Sequence, residues 1–135
     1  MEDFVSFEIA KKLKEKGFQE ECLCHYVDVD LVYNIESPIA NNQLLFCHNK
    51  YDNIWHRDNY DAPTISQVLK WLRKEKKMHI IVEISDSGWY YTIYPSIRWE
   101  NGILKSDKYI MSFKNKDSYE AAALSGIEYV LNNFI

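Results

Sequence analysis

The softest ligands in the chain sit in two short runs, Cys22-x-Cys24-His25 and Cys47-His48. Thiolate and imidazole together are a zinc-binding set. If the two runs lie on paired strands, Cys22 and Cys24 share a face, and Cys47 or His48 could complete a tetrahedron. Structural zinc sites, however, set their cysteines on tight turns with ~2–4 intervening residues. One intervening residue on a strand splays the pair, so these cysteines read as buried free thiols. A second group, His48, His56, Asp58 and Asp61 with Asp52 nearby, could supply the general base of a hydrolase. No nucleophile–base spacing accompanies it, and a polar loop contains such residues in any case. Arg73-x₅-His79 has the spacing of a pair used by all-helical ribonucleases. That chemistry needs both residues on one helix, and His79 opens a strand, so it is rejected. No catalytic residue, metal ligand or cofactor site is therefore assigned, and an enzyme is not expected.

Two further sets of side chains suit binding. Lys70, Arg73, Lys74 and Lys77 recur along one helical face and could contact phosphates. Trp89, Tyr90, Tyr91, Tyr94 and Trp99 could stack bases, as sheet-based single-strand binders do. The same aromatics with Ile81 also suit a protein surface, because Tyr and Trp combine apolar area with a polar handle. A small non-enzymatic accessory protein acting through protein contacts, with a protein partner or a second copy, is the leading reading. A local nucleic-acid binder is the alternative, and a hydrolase built on the His/Asp loop is the third.

These side chains need elements to hold them. A first helix is expected from Ser6 to Lys16, capped by Ser6, with Val5, Ile9 and Leu13 on one face. Gly17 and Phe18 would close it in a Schellman motif. Leu23 to Ile35 reads as one strand, and residues 34–61 as a loop-rich insertion with a short strand at Leu44-Leu45-Phe46. Pro63, Thr64 and Gln67 announce a second helix whose apolar stripe is Ile65, Val68, Leu69 and Leu72. Residues 79–85 and 89–94 flank Asp86-Ser87-Gly88, the pattern of a hairpin closed by a glycine bulge. Asn101-Gly102 marks another hairpin, and Tyr109–Phe113 reads as a further strand. A last helix starts at Asp117 with Glu120 in a capping box and buries Leu124, Ile127, Leu131 and Phe134. Gly126 inside it points to a tight crossing.

Hairpins rather than crossovers dominate, so the expected fold is α+β. It would be a single domain over 1–135, an antiparallel sheet of three to five strands with two or three helices mainly on one face. The core should include Ile80, Val82 and Ile84, leaving a face with Ile81 and tyrosines for a partner or for the 34–60 loop.

Three pieces in order, Ala62-Pro63-Thr64 leading into Lys70-Trp71-Leu72-Arg73, His79-Ile80, and Asp117-Ser118-Tyr119-Glu120-Ala121-Ala122 with Gly126, resemble a group of short uncharacterised proteins of gut Bacteroidetes genomes, their phages and mobile elements. The resemblance implies a setting, phage or mobile-element cargo, and brings no catalytic residues with it.

Composition bounds the rest. The chain has 135 residues, 47% of them hydrophobic and 27% charged, an ordinary globular mix that excludes a disordered or collagen-like chain. Residues 1–60 carry 6 basic and 11 acidic side chains against 10 and 9 in residues 61–135, for a formal net charge of −4. No global field draws this protein to a phosphate backbone. The acidic start lacks the pattern of a signal peptide, no run suits a membrane span, and three cysteines do not make a disulfide scaffold, so a cytoplasmic location is expected.

Overall fold

The computed structural model describes residues 3–27, 30–33, 59–112 and 115–135. The fold is α+β, as expected, with helices α1 (Phe7–Glu15), α2 (Ile65–Glu75) and α3 (Tyr119–Asn133). The described strands do not join one sheet. They form three antiparallel sheets of two or three strands, distributed over two compact units, Met1–Thr64 and Ile65–Ile135.

In the first unit, the Ser6 hydroxyl accepts the Ile9 N–H at 3.3 Å and so starts α1. Gly17 at φ +92° ends it, with Phe18 N–H donating to Leu13 O at 3.0 Å. That is the Schellman geometry expected from Leu13, Gly17 and Phe18, and Phe18 is buried. The segment read as one strand is two, β1 (Cys24–Val27) and β2 (Asp30–Tyr33), paired so that Val27 faces Asp30. On the other side of β1 lies β3 (Asn59–Ala62), inside the stretch expected to be loop. Its sequence, Asn-Tyr-Asp-Ala, has little strand preference; pairing with β1 decides its conformation. Tyr26 OH donates to Val5 O at 2.6 Å, and the Phe7 ring stands edge-on to both Tyr26 and Tyr60. The expected strand at Leu44-Leu45-Phe46 lies outside the described residues.

In the second unit, α2 buries Ile65, Val68, Leu69, Trp71 and Leu72. It begins at Ile65, so Pro63 stands before the helix and not in its first turn. The helix ends with Met78 N–H bonded to Leu72 O at 3.0 Å and Lys77 in the left-handed region at φ +57°. Lysine stands here where a left-handed glycine is favoured, and the Met78 bond spans six residues where the Schellman bond of α1 spans five. A left-handed L residue costs ~1–2 kcal/mol, partly offset by glycine's greater freedom in the unfolded chain. Lys77→Gly should therefore raise stability by ~0.5–1 kcal/mol, read as a higher urea midpoint with unchanged slope.

The central sheet has the order β4-β5-β8, built from β4 (His79–Ser85), β5 (Gly88–Tyr94) and β8 (Ile110–Met111). Strand β8 is shorter than the Tyr109–Phe113 read from sequence. The β4–β5 register runs unbroken to Ser85 opposite Gly88, so the loop is Asp86-Ser87 alone and the expected bulge is absent. Ile80 and Ile93, Val82 and Tyr91, and Ile84 and Trp89 are cross-strand pairs on one face. Helix α3 covers that face. A methyl group on Gly126 would lie 3.1 Å from Ile80 Cγ2 and 3.2 Å from Tyr91 Cγ, which is the tight crossing the glycine announced. The cap of α3 is Ser118, whose hydroxyl accepts the Ala121 N–H at 3.0 Å, one residue later than expected. Its buried side is Ala122, Ala123, Gly126, Ile127, Val130 and Leu131, while Leu124 is half-buried and Phe134 exposed.

Candidate protein-contact surface

The remaining strands, β6 (Arg98–Glu100) and β7 (Ile103–Lys105), form a separate hairpin in the second unit. Asn101 and Gly102 turn it with φ of +52° and +77°, the doubly left-handed loop their pair predicts. The ends are tied back to the unit by Ile97 N–H to Lys77 O and Asp107 N–H to Pro95 O, both 2.9 Å. Glu100 joins Arg98 at 2.9 Å and Lys105 at 3.4 Å, and Arg98 also reaches Asp107 at 3.2 Å. Hydrogen bonds from Arg98, then from Lys105, hold the Glu100 carboxyl below its usual range. Each exposed pair contributes little, but the network fixes the geometry of both strands.

On the other side of this hairpin Trp99 pairs with Leu104, and both are exposed, Trp99 at 72%. Ile103 is exposed as well. Leu104 and Lys105, with Ile97 and Ser106, also border a cleft of about 390 Å³ whose opposite wall is His79, Ile81 and Tyr94 of the central sheet. The second sheet face is therefore met from within its own unit, by the segment 97–106. The expectation that Ile81 and the tyrosines stand bare is corrected here: Ile81, Tyr90 and Tyr94 are half-buried.

The aromatic residues singled out from sequence go to different places. Tyr91 belongs to the core beneath α3 and is no surface residue. Trp89 stands edge-on to Tyr119 of α3, and Tyr94 lies between the rings of His79 and Tyr109. Only Trp99 is largely free of cover. Lys70, Arg73, Lys74 and Lys77 are all exposed, while Tyr91 is packed beneath α3 and Trp89 is half-buried against its first turn. Ile84 is the second correction. Expected in the core, it is 66% exposed, because the turn end of the hairpin runs past the cover of α3, and Val82 is half-buried. His79 is half-buried, its imidazole held below the ordinary value first by burial and then by the charge of Arg73.

Among the described residues of the first unit, Cys22, Cys24, His25 and Asp61 are enclosed. His25 and Asp61, which spacing put into different groups, stand directly opposite each other on β1 and β3, both buried. The space beside Asp61, bounded by Ala10, Lys14 and Phe18, is too narrow to admit water. Cys22 and Cys24 are buried, the Cys22 thiol donating to Glu20 O at 3.4 Å, and burial pushes the Cys24 thiol up to about 11, so it stays protonated and unreactive at neutral pH. Among the described residues no three His, Cys, Asp or Glu side chains gather to hold a metal ion. Cys47, His48, Asp52, His56 and Asp58 lie outside the described residues. No described helix is long and apolar enough to cross a membrane. No family model, no curated protein and no solved structure matches this chain.

Proposed function

We propose that this chain is a small non-enzymatic binding protein that acts through protein contacts, with the β6–β7 hairpin as its contact element. One observation carries the reading: Trp99 is 72% exposed and directly opposite exposed Leu104, on a hairpin held in shape by the Arg98–Glu100–Lys105–Asp107 network. An exposed tryptophan on a fixed backbone loses little side-chain freedom on binding, and tryptophans at the centre of interfaces dominate their energetics. The setting of phage or mobile-element cargo that the resemblance implies would suit a protein of this size that works by contact.

Binding is tested with the full chain as bait against lysate of its host, followed by purification of whatever it retains. With purified components, Trp99→Ser should weaken that complex about 30-fold, or ~2 kcal/mol, while leaving circular dichroism and melting unchanged. Equal affinity for both proteins would defeat the reading.

A further inference from the structure

Strand β4 is an edge of the central sheet, with β5 on one side only. Its register with β5 closes on the pair Ser85 and Gly88 across a two-residue loop. Backbone bonding alternates along an antiparallel pair, so His79, Ile81, Glu83 and Ser85 bond inward. Ile80, Val82 and Ile84 then turn their N–H and C=O groups to the open side. The same alternation is visible on β5, where Trp89 exchanges both bonds with Lys116 and Tyr91 O accepts Ser112 N–H at 2.9 Å, all away from β4. Nothing among the described residues bonds the outward groups of Ile80, Val82 or Ile84. Most of the usual protections of an edge are missing: the strand reads His-Ile-Ile-Val-Glu-Ile-Ser, with no proline, no lysine and no bulge, and Glu83 as its one acidic residue.

We infer that β4 pairs with β4 of a second copy of this chain, antiparallel about Val82, joining two three-stranded sheets into one. This inference stands independently of the Trp99 hairpin. Two features on the strand select a second copy and its direction. Three outward residues are centred on Val82, so one symmetric register, with Val82 against Val82 and Ile80 against Ile84, satisfies every outward group of both copies. The exposed Ile84 then lies beside an Ile80 side chain. The charges fit as well. Exposed Arg73, Lys74 and Lys77 precede the strand and exposed Asp86 follows it, while Glu83, next to Val82, stands opposite Ile81 of the second copy in this register. Antiparallel pairing sets His79 opposite Ser85 of the second copy and brings Asp86 of each copy alongside Lys77 of the other. Parallel pairing would set like charges together.

The test uses the full chain in sedimentation equilibrium, with amide exchange read residue by residue. A monomer–dimer equilibrium is expected, with the amides of Ile80, Val82 and Ile84 slowed in the dimer and fast on dilution to monomer. Val82→Pro removes an outward N–H and no bond to β5, and should abolish the dimer. Asp86→Lys, in an exposed turn, should weaken it about tenfold, and adding Lys77→Asp should restore it. The charge pair decides the matter if the proline variant does not fold. The inference is overturned by a wild type that stays monomeric up to about 1 mM, the weak limit of specific contacts. It is overturned equally by amides of Ile80, Val82 and Ile84 already protected in the monomer, or by a dimer indifferent to Val82→Pro or Asp86→Lys. A dimer lost with Trp99→Ser would place the contact on the β6–β7 hairpin and overturn it too.

Discussion

Gly126→Leu should cost about 3 kcal/mol or more in urea unfolding, a large part of the stability of a domain this size. The helix α3 lies so close to the β4–β5 hairpin that a single methyl at position 126 meets Ile80 at 3.1 Å and Tyr91 at 3.2 Å. Leucine adds three further carbons where no space remains, and must push the helix from the sheet along the face that buries Ile80, Tyr91 and Ile93. Gly126→Ala is the informative companion. Alanine recovers about 1 kcal/mol of helix preference, against a contact that needs its neighbours to yield by a few tenths of an ångström. It should fall within about 1 kcal/mol of wild type. A leucine variant as stable as the alanine variant would show that α3 does not cross here.

Gly88→Ala should cost ~2–4 kcal/mol for two separate reasons. The position has φ +128°, which L side chains rarely adopt, at ~1–3 kcal/mol. The added Cβ would also lie 2.8 Å from Lys116 O. That carbonyl cannot turn aside without losing its bond from Trp89 N–H at 2.9 Å, a further ~1 kcal/mol. Gly102→Ala separates the two terms, since φ is +77° but nothing lies within 4 Å of its Cβ position. It should lose only about 1 kcal/mol. Equal losses at both positions, measured by thermal melting, would show that the approach of Lys116 carries no energy.

Signals that act within a few residues were legible in the sequence. Ser6, Gly17 and Phe18 set both ends of α1, Asn101-Gly102 set a hairpin, and Gly126 announced a close crossing whose partners turn out to be Ile80 and Tyr91. What the sequence hid depends on distant partners. The alternation from Leu23 to Ile35 suits one strand as well as two, and no glycine or proline marks the reversal between Val27 and Asp30. Strand β3 exists because β1 holds it. The alternation of β4 and β5 assigned side chains to faces correctly, but how far α3 reaches along that face is not written in either strand. Ile84 and Tyr91 therefore exchanged their expected places, one exposed and the other in the core. Of the proposed contact surface, the sequence offers Trp99 among several aromatics, and only the second hairpin's exposure separates it from the rest.

The two enclosed thiols give the chain a chemical clock for half of itself. All three cysteines precede residue 65, and Cys22 and Cys24 are fully buried in the first unit. With Cys47→Ser in place, the rate at which a disulfide reagent modifies the protein measures how often that unit opens, because a buried thiol reacts only during opening. Gly88 and Gly126 belong to the other unit. If their variants leave the modification rate unchanged while the second unit melts, the halves open independently; if the rate rises in step, they open as one.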